Sequence, residues 1–205
     1  MNDSKEKSKR HFDLIATNYN TSHDGKFCAD MYASLIEAIH KVKGGNLLDL
    51  GCGNGNLLLQ LVKDGFVLTG VDFSEAMIEQ AKQRLDGYAE LVVADAGNLP
   101  FPADTFDVLV CNASFHHYPD PEAALKEMYR VLRPGGTLLI GECYIPQPLR
   151  AVNNVLIRFS PAGDHHFYGK RELSALLKGH GFVTQNISKT GKHTVLYMAT
   201  AKEKE

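Results

Sequence analysis

Short apolar runs alternate with segments of helical spacing along most of this chain, and that alternation limits the folds it can adopt more than any other feature. Strands are predicted at residues 46–51, 67–72, 90–95, 106–112 and 137–142. Helices are predicted at residues 56–65, 74–85 and from 121 onward. Neighbouring parallel strands need crossover connections of this kind. The pattern therefore predicts an α/β fold with a doubly wound, mostly parallel sheet.

The last third of the chain breaks the alternation. Two strand-like runs, 182–189 and 194–201, are separated only by Thr190-Gly191-Lys192-His193. This connection is too short for a crossover, so the two runs are predicted to form an antiparallel hairpin. A helix is predicted before them over residues 170–181, and a loop-and-helix segment over 144–169. The expected sheet then has seven strands, of which the last two form the C-terminal hairpin.

The N-terminal region carries weaker signals. The first ten residues are predicted to be a polar tail, and apolar residues at helical spacing predict a helix over 28–42. Two later helix starts are marked by side chains that can cap them, Ser74 and Asp120, and Pro121 suits the first helical position after Asp120. A length of 205 residues favours one domain.

Composition excludes several classes of protein. The chain carries 22 basic and 24 acidic residues, without the clustered positive charge that nucleic-acid binding needs. No apolar run approaches the roughly 18 residues of a membrane span, and no secretory signal is visible. The 4 cysteines are far apart in the sequence, which indicates reduced thiols. We expect a soluble, cytoplasmic protein with no nucleic-acid or membrane partner; the sequence does not indicate its oligomeric state.

The strongest local signal is a glycine-rich turn, residues 51–55, between the first strand and its helix. Alternate glycines let a ligand approach the backbone, and the helix start offers free N–H groups. Asn56 leaves the dinucleotide pattern G-x-G-x-x-G incomplete, and the turn lacks the lysine of a phosphate loop. Asp49 would repel a pyrophosphate and favour a ligand with cationic groups. S-adenosylmethionine fits, since it carries an ammonium and a sulfonium.

Four motifs at successive strand ends resemble those of the class I S-adenosylmethionine-dependent methyltransferases. They are LLDLGCGNG, VDFS, AD and NASFHHYPDPEAALKEMYRVLRPGGTLLI. The likeness covers roughly residues 10–142 and is greatest to the small-molecule branch that contains the ubiquinone and menaquinone biosynthesis methyltransferases. It implies a Rossmann-like fold with an N-terminal helical lid (1–43), a cofactor-binding core (46–142), a variable substrate-side segment (144–169), and a final helix and hairpin (170–205).

The resemblance also implies roles for individual residues around S-adenosylmethionine. Those expected at its methionine end are Asp49, Gly51, Cys52, Gly53, Asn54, Gly55 and Asn112. Asp72 is expected to accept hydrogen bonds from both ribose hydroxyls. Those expected around the adenine are Phe73, Met77, Asp95 and Ala96. Tyr19 lies in a segment similar to the family's F-D-x-x-A-x-x-Y and is expected in a lid over the cofactor.

Two histidine pairs remain outside these assignments. His117 is a candidate general base, although His116 and His117 could equally shape the loop after the fourth strand. The residues expected on the substrate side are His116, His165, His166 and Tyr168. No metal site is predicted, because adjacent histidines in a strand point to opposite faces and no familiar ligand spacing is present.

The sequence thus predicts an enzyme that transfers a methyl group from S-adenosylmethionine to a small-molecule acceptor. Two alternatives stay open: a non-catalytic S-adenosylmethionine-binding or regulatory module, and, less favoured, a nicotinamide-dependent oxidoreductase. An apolar or aromatic acceptor is weakly favoured. The sequence does not specify the acceptor or whether carbon, nitrogen, oxygen or sulfur is methylated.

Overall fold

A computed structural model describes residues 3–42, 44–160 and 162–204 of the chain. Its centre is a seven-stranded sheet with the order β3-β2-β1-β4-β5-β7-β6. The strands are β1 (Gly45–Leu50), β2 (Phe66–Asp72), β3 (Ala89–Val93), β4 (Phe106–Asn112), β5 (Leu132–Cys143), β6 (Phe182–Lys189) and β7 (Thr194–Ala201). The first five strands run parallel, and β7 is antiparallel to both of its neighbours. The predicted fold class and C-terminal hairpin are confirmed.

Helices cover both faces of this sheet. They are α1 (Asp3–Ile15), α2 (His23–Ala29), α3 (Tyr32–Ile39), α4 (Asn56–Leu61), α5 (Glu75–Leu85), α6 (Pro121–Val131), α7 (Leu149–Leu156) and α8 (Lys170–Gly179). One buried apolar cluster joins the sheet to α6 and α8, and a second joins it to α3, α4 and α5. None of the described helices is long and apolar enough to span a membrane.

The strand order reverses at β1, whose neighbours are β2 on one side and β4 on the other. Chain connections leave β1 and β4 towards opposite faces of a doubly wound sheet, which opens a crevice beyond their carboxyl ends. The registers bring those ends level, because Asp49 pairs with both Gly70 and Val110. The fold therefore sets the ends of β1, β2 and β4 around one crevice.

The N-terminal region differs from the sequence-based prediction. The predicted polar tail lies largely in α1, which has only a narrow apolar stripe, including Phe12 and Ile15, and a Lys9–Asp13 ion pair one turn apart. The single helix predicted over 28–42 is instead α2 and α3, separated by a turn at Asp30. Apolar spacing continues through this turn, and so the periodicity did not reveal the break.

The start of β5 is also different. This strand was predicted to begin after Pro134-Gly135-Gly136, but it starts at Leu132. Phe106 pairs with Leu132, and Val108 then pairs with Thr137, so the proline and glycines form an irregularity inside the strand. An irregularity of this kind lets a strand include a proline without ending its pairing with the neighbouring strand.

Both predicted helix caps are confirmed. The Ser74 hydroxyl accepts a hydrogen bond from the Met77 N–H at 3.1 Å, and the Asp120 carboxylate accepts one from the Ala123 N–H at 2.9 Å. Pro121 occupies the first turn of α6. These bonds satisfy N–H groups that have no partner inside the helix.

Asp120→Ala is expected to lower the free energy of unfolding by about 1 kcal/mol, because an N–H at the start of α6 loses its side-chain acceptor. Urea denaturation of the two proteins checks this. Asp120→Ser keeps an acceptor at the cap and is the control, expected to retain most of the stability. Equal losses in both variants would contradict the capping role.

Candidate active site

A cavity of about 320 Å³ lies in the crevice beyond β1, β2 and β4. This is near the lower end of the range for small-molecule sites, roughly 300 to 1,000 Å³. Its walls come from the ends of these strands, the loop after β3, the loop after β4 and the inner side of α1. The sequence-predicted residues among its lining are Tyr19, Gly51, Gly53, Asp72, Phe73, Met77, Asp95, Ala96, Asn112 and His117. The topology thus brings most of the predicted site together.

The glycine turn forms one wall of this cavity. Gly51 has a φ of +79°, and a Cβ there would lie 2.1 Å from the Ser114 hydroxyl oxygen. Its N–H donates to the Val71 carbonyl at 2.7 Å, which ties the turn to the neighbouring strand. A side chain at this position would both strain the backbone and displace Ser114. The turn is therefore held in a conformation that lets a ligand approach its backbone closely.

Asp72 joins the glycine turn to α5. One carboxylate oxygen accepts the Gly53 N–H at 2.8 Å, and the other accepts the Ser74 N–H at 2.9 Å. Burial raises the pKa of this carboxyl, while the backbone N–H donors oppose that shift. Each oxygen has a further lone pair, so Asp72 can still accept hydrogen bonds from a ligand in the cavity.

Asp49 is a buried acid beside the glycine turn. Its residue is 2% exposed, at the end of β1 just before the cavity-lining Leu50. Burial, and secondarily the charge of Asp72, raise the pKa of Asp49 to about 7. A cationic group placed nearby would relieve the cost of the buried carboxylate.

Asn112 offers a second acceptor at the same end of the cavity. Its side-chain N–H donates to the Cys28 carbonyl at 3.2 Å. Its side-chain oxygen is buried and, within the described parts of the chain, accepts no hydrogen bond. Leaving a buried acceptor unsatisfied is costly, which makes this atom a candidate contact for a ligand's donor group.

The opposite end of the cavity is more apolar. Phe73, Met77 and Ala96 line it beside Asp95. In this structure Lys5 of α1 forms an ion pair with Asp95 and lies 5.3 Å from the centre of the Phe73 ring. The residues of α1 that line the cavity, Lys5, Ser8, Lys9 and Phe12, were not predicted as site residues from the sequence.

The residues predicted at the methionine end that do not line the described cavity are Asp49, Cys52, Asn54 and Gly55. Cys52 is buried in the core. Asn54 donates to the Asn20 side chain at 2.8 Å. Gly55 is packed so closely that a Cβ would lie 2.8 Å from Leu85. These contacts hold the turn in place from behind.

Tyr19 closes the cavity over the glycine turn. Its hydroxyl is 3.1 Å from the Cys28 sulfur, and a Cβ on Gly53 would lie 3.6 Å from its ring. Burial raises the pKa of this phenol, so it stays neutral and can donate a hydrogen bond at physiological pH.

The two histidines after β4 differ in their surroundings. Burial opposes a charge on His116, but Glu142 and then Asp164 outweigh that effect and raise its pKa. Burial and the neighbouring charge of His116 hold the pKa of His117 well below its ordinary value. His117 lines the cavity as a neutral ring, and His116 lies behind it.

The remaining substrate-side residues lie further away. The backbone N–H groups of His165 and His166 donate to the His116 carbonyl at 2.8 and 3.1 Å. The His166 ring pairs with Glu172 at 2.7 Å. Tyr168 packs against the Phe115 ring at 5.2 Å between centres. None of His165, His166 and Tyr168 is among the residues that line the described cavity.

Comparison with known proteins agrees with this fold. Residues 48–140 match the model of the methyltransferase domain family. The chain is 38% identical over 112 residues to 27-O-demethylrifamycin SV methyltransferase of Amycolatopsis mediterranei, covering 51% of this chain and 41% of that protein. It is 33% identical over 147 residues to demethylmenaquinone methyltransferase of Symbiobacterium thermophilum, covering 66% and 58%.

A solved structure of a SAM-dependent methyltransferase from Methanosarcina mazei superposes with a TM-score of 0.69 and 24% identity, covering 82% of this chain and 98% of that one. The chain spans about half the length of the curated relatives it matches. Taken with the strand order, these matches show that the chain is similar to methyltransferase domains in sequence over residues 48–140 and to a SAM-dependent methyltransferase in fold.

Asp49→Asn is expected to stabilise the ligand-free protein more at pH 8 than at pH 5, by about 2 kcal/mol. The folded-state pKa of about 7 exceeds the unfolded value of roughly 3.9, so the Asp49 contribution to stability is lost as the pH rises through that window. The Asn variant has no such loss.

Denaturant unfolding of both proteins at the two pH values checks this prediction. Asp30→Asn, in the exposed turn between α2 and α3, is the matched control and is expected to change stability equally at both. A pH-independent effect of Asp49→Asn would show that the Asp49 carboxyl is not protonated in the folded protein at neutral pH.

Proposed function

We propose that the protein transfers the methyl group of S-adenosylmethionine to a small-molecule acceptor and releases S-adenosylhomocysteine. The observation that carries this proposal is the cavity at the strand reversal, where acceptor groups at one end face an apolar wall at the other. The fold and the similarity to methyltransferase domains support this class of cofactor.

The residues present fit this cofactor at its cationic end. The unsatisfied oxygen of Asn112 and the high-pKa carboxyl of Asp49 both favour a positively charged group. A pyrophosphate in the same place would meet Asp49 and Asp72 and be repelled, which disfavours a nicotinamide dinucleotide. The ammonium and sulfonium of S-adenosylmethionine would bring positive charge close to these acceptor groups.

The ribose and the adenine of the cofactor would contact residues along the length of the cavity. Asp72 would accept the ribose hydroxyls through its free lone pairs, while its other bonds keep the carboxylate oriented. Phe73, Met77 and Ala96 would pack on the adenine. Asp95 can accept from the adenine amine once Lys5 shifts from its carboxylate.

The chain's own contribution to the reaction is alignment in a dry pocket. The bound sulfonium supplies an already electrophilic methyl group, so no strong activation by the protein is needed. Tyr19 and Phe12 of the N-terminal region exclude water from above the cavity. Holding the acceptor atom in line with the methyl carbon and sulfur is worth several kcal/mol of the barrier, roughly 7 to 11 in well-oriented cases.

The acceptor would approach from the side of His117. The relatives named above, a demethylrifamycin and a demethylmenaquinone methyltransferase, support a small organic acceptor, as expected from the sequence. A hydroxyl acceptor must lose a proton, and the neutral ring of His117 lies on the cavity wall where it could take one. The assignment of His117 as general base stays a prediction.

A non-catalytic module that binds S-adenosylmethionine is the second candidate, because the residues above account for binding and not for turnover. Production of S-adenosylhomocysteine with any member of a broad panel of hydroxyl, thiol and amine acceptors would exclude it.

Isothermal titration with S-adenosylmethionine, S-adenosylhomocysteine and NADH tests the cofactor directly. We expect binding of the first two in the micromolar range and none of NADH. Binding of NADH alone would overturn both the cofactor and the methyltransferase proposal.

Asp72→Asn is expected to weaken S-adenosylmethionine binding by about 1.5 to 3 kcal/mol, or roughly 10- to 150-fold, because a charged acceptor of the ribose is lost. Asparagine is preferable to alanine because its oxygen can still accept one of the two backbone N–H bonds. Asp107→Asn, far from the cavity, is the control in the same titration. Equal affinities in the wild type and Asp72→Asn would refute the ribose assignment.

A further inference from the structure

A cluster of histidines and carboxylates lies between the cavity and the segment before α8. His116 and His117 are in a short 3-10 turn, Phe115–His117, and not in a strand. Their rings therefore lie side by side, 4.2 Å apart between centres and tilted by 39°. Asp164, distant in the sequence, reaches both rings. No metal site was predicted from the sequence, because adjacent histidines in a strand point to opposite faces. In this turn the two rings are neighbours, so that reason does not apply.

Two distances within the cluster are close to those expected between ligand atoms of one metal ion. One Asp164 carboxylate oxygen is 3.2 Å from Nδ1 of His117 and 3.6 Å from Nε2 of His116. Ligand atoms around a tetrahedral ion with bonds of about 2.1 Å lie about 3.4 Å apart. The Nδ1 atom of His117 is buried and makes no hydrogen bond within the described residues, despite its nearness to Asp164. A cation between these three atoms would satisfy all of them.

Two further side chains hold the ligand atoms in this orientation. Glu142 pairs with Nδ1 of His116 at 2.8 Å, so Nε2 is the ring nitrogen that faces Asp164. The Ser160 hydroxyl donates to the other Asp164 oxygen at 2.6 Å, which leaves the first oxygen free. Metal-binding histidines and carboxylates are typically oriented by outer hydrogen bonds of this kind.

The charge of the cluster also favours a dication. Glu142 is 3% exposed and His116 is 7% exposed. With both imidazoles neutral, Glu142 and Asp164 carry two negative charges in a poorly solvated place, and one divalent ion would neutralise them. Two imidazole nitrogens and one carboxylate oxygen select a transition-metal ion such as Zn²⁺ over Mg²⁺ or Ca²⁺.

We propose that Nε2 of His116, Nδ1 of His117 and one carboxylate oxygen of Asp164 bind a single divalent transition-metal ion, with Glu142 as the positioning residue for His116. Three protein ligands leave a coordination position open. Of the three ligand residues, His117 is the one that lines the described cavity. The site does not rest on the proposed methyl transfer, and a metal ion on Nδ1 of His117 would replace its role as a base.

The full-length protein, stripped with a chelator, is titrated with Zn²⁺ in competition with a chromophoric chelator, and with Co²⁺ followed by visible absorption. We expect one Zn²⁺ per chain with micromolar or tighter affinity, and an intense tetrahedral Co²⁺ spectrum. Asp164→Ala and His117→Ala are expected to lose the site. Glu142→Gln is expected to weaken Zn²⁺ binding roughly 10- to 100-fold, because it only alters the orientation of a ligand.

His40→Ala is the matched control, since His40 pairs with Asp64 at 2.8 Å on the surface, and it is expected to leave Zn²⁺ binding unchanged. Circular dichroism and thermal melting of each variant show whether it folds. The proposal is overturned by an absence of micromolar binding in the folded wild type, or by a folded Asp164→Ala or His117→Ala that binds as the wild type does. S-adenosylmethionine titration of the same samples reports separately on the proposed function.

Discussion

The site depends on one partly buried carboxylate that accepts backbone hydrogen bonds from two different elements. Asp72 binds the N–H of Gly53 and that of Ser74, so the turn after β1 and the start of α5 are fixed relative to each other. A buried charge is costly without such donors, and the bonds hold only while both backbones stay in place. The glycine turn is thereby kept rigid although its own residues favour flexibility.

Most of the fold could be predicted because the relevant signals are local. The period of the apolar residues identified β2 and β4, and a four-residue connection was sufficient to predict the C-terminal hairpin. The capping roles of Ser74 and Asp120 also depend only on near neighbours. The apolar period did not reveal α1, because its packing partners are the cavity residues of distant strands and its own sequence reads as polar.

The same distinction, between local signals and contacts of distant segments, applies to the residues of the site. Asp72, Asp95 and Asn112 could be predicted as neighbours, since the carboxyl ends of parallel strands meet at one edge of the sheet. The approach of Asp164 to His116 and His117 could not, because no regular topology connects the segment before α8 to the loop after β4. Glu142 could be placed near these histidines from the sequence, since β5 ends at the same edge of the sheet as β4.

The position of α1 has a kinetic consequence. This helix lies across the cavity, held by the Lys5–Asp95 ion pair and by the Ser74 hydroxyl, which donates to Asp13 at 2.6 Å. Under the proposed function, an adenine that takes up Asp95 must first displace Lys5, so entry of the cofactor would be coupled to displacement of a helix. Partly exposed ion pairs weaken as salt screens them. Turnover limited by cofactor entry would therefore quicken with ionic strength, whereas turnover limited by the chemical step would not.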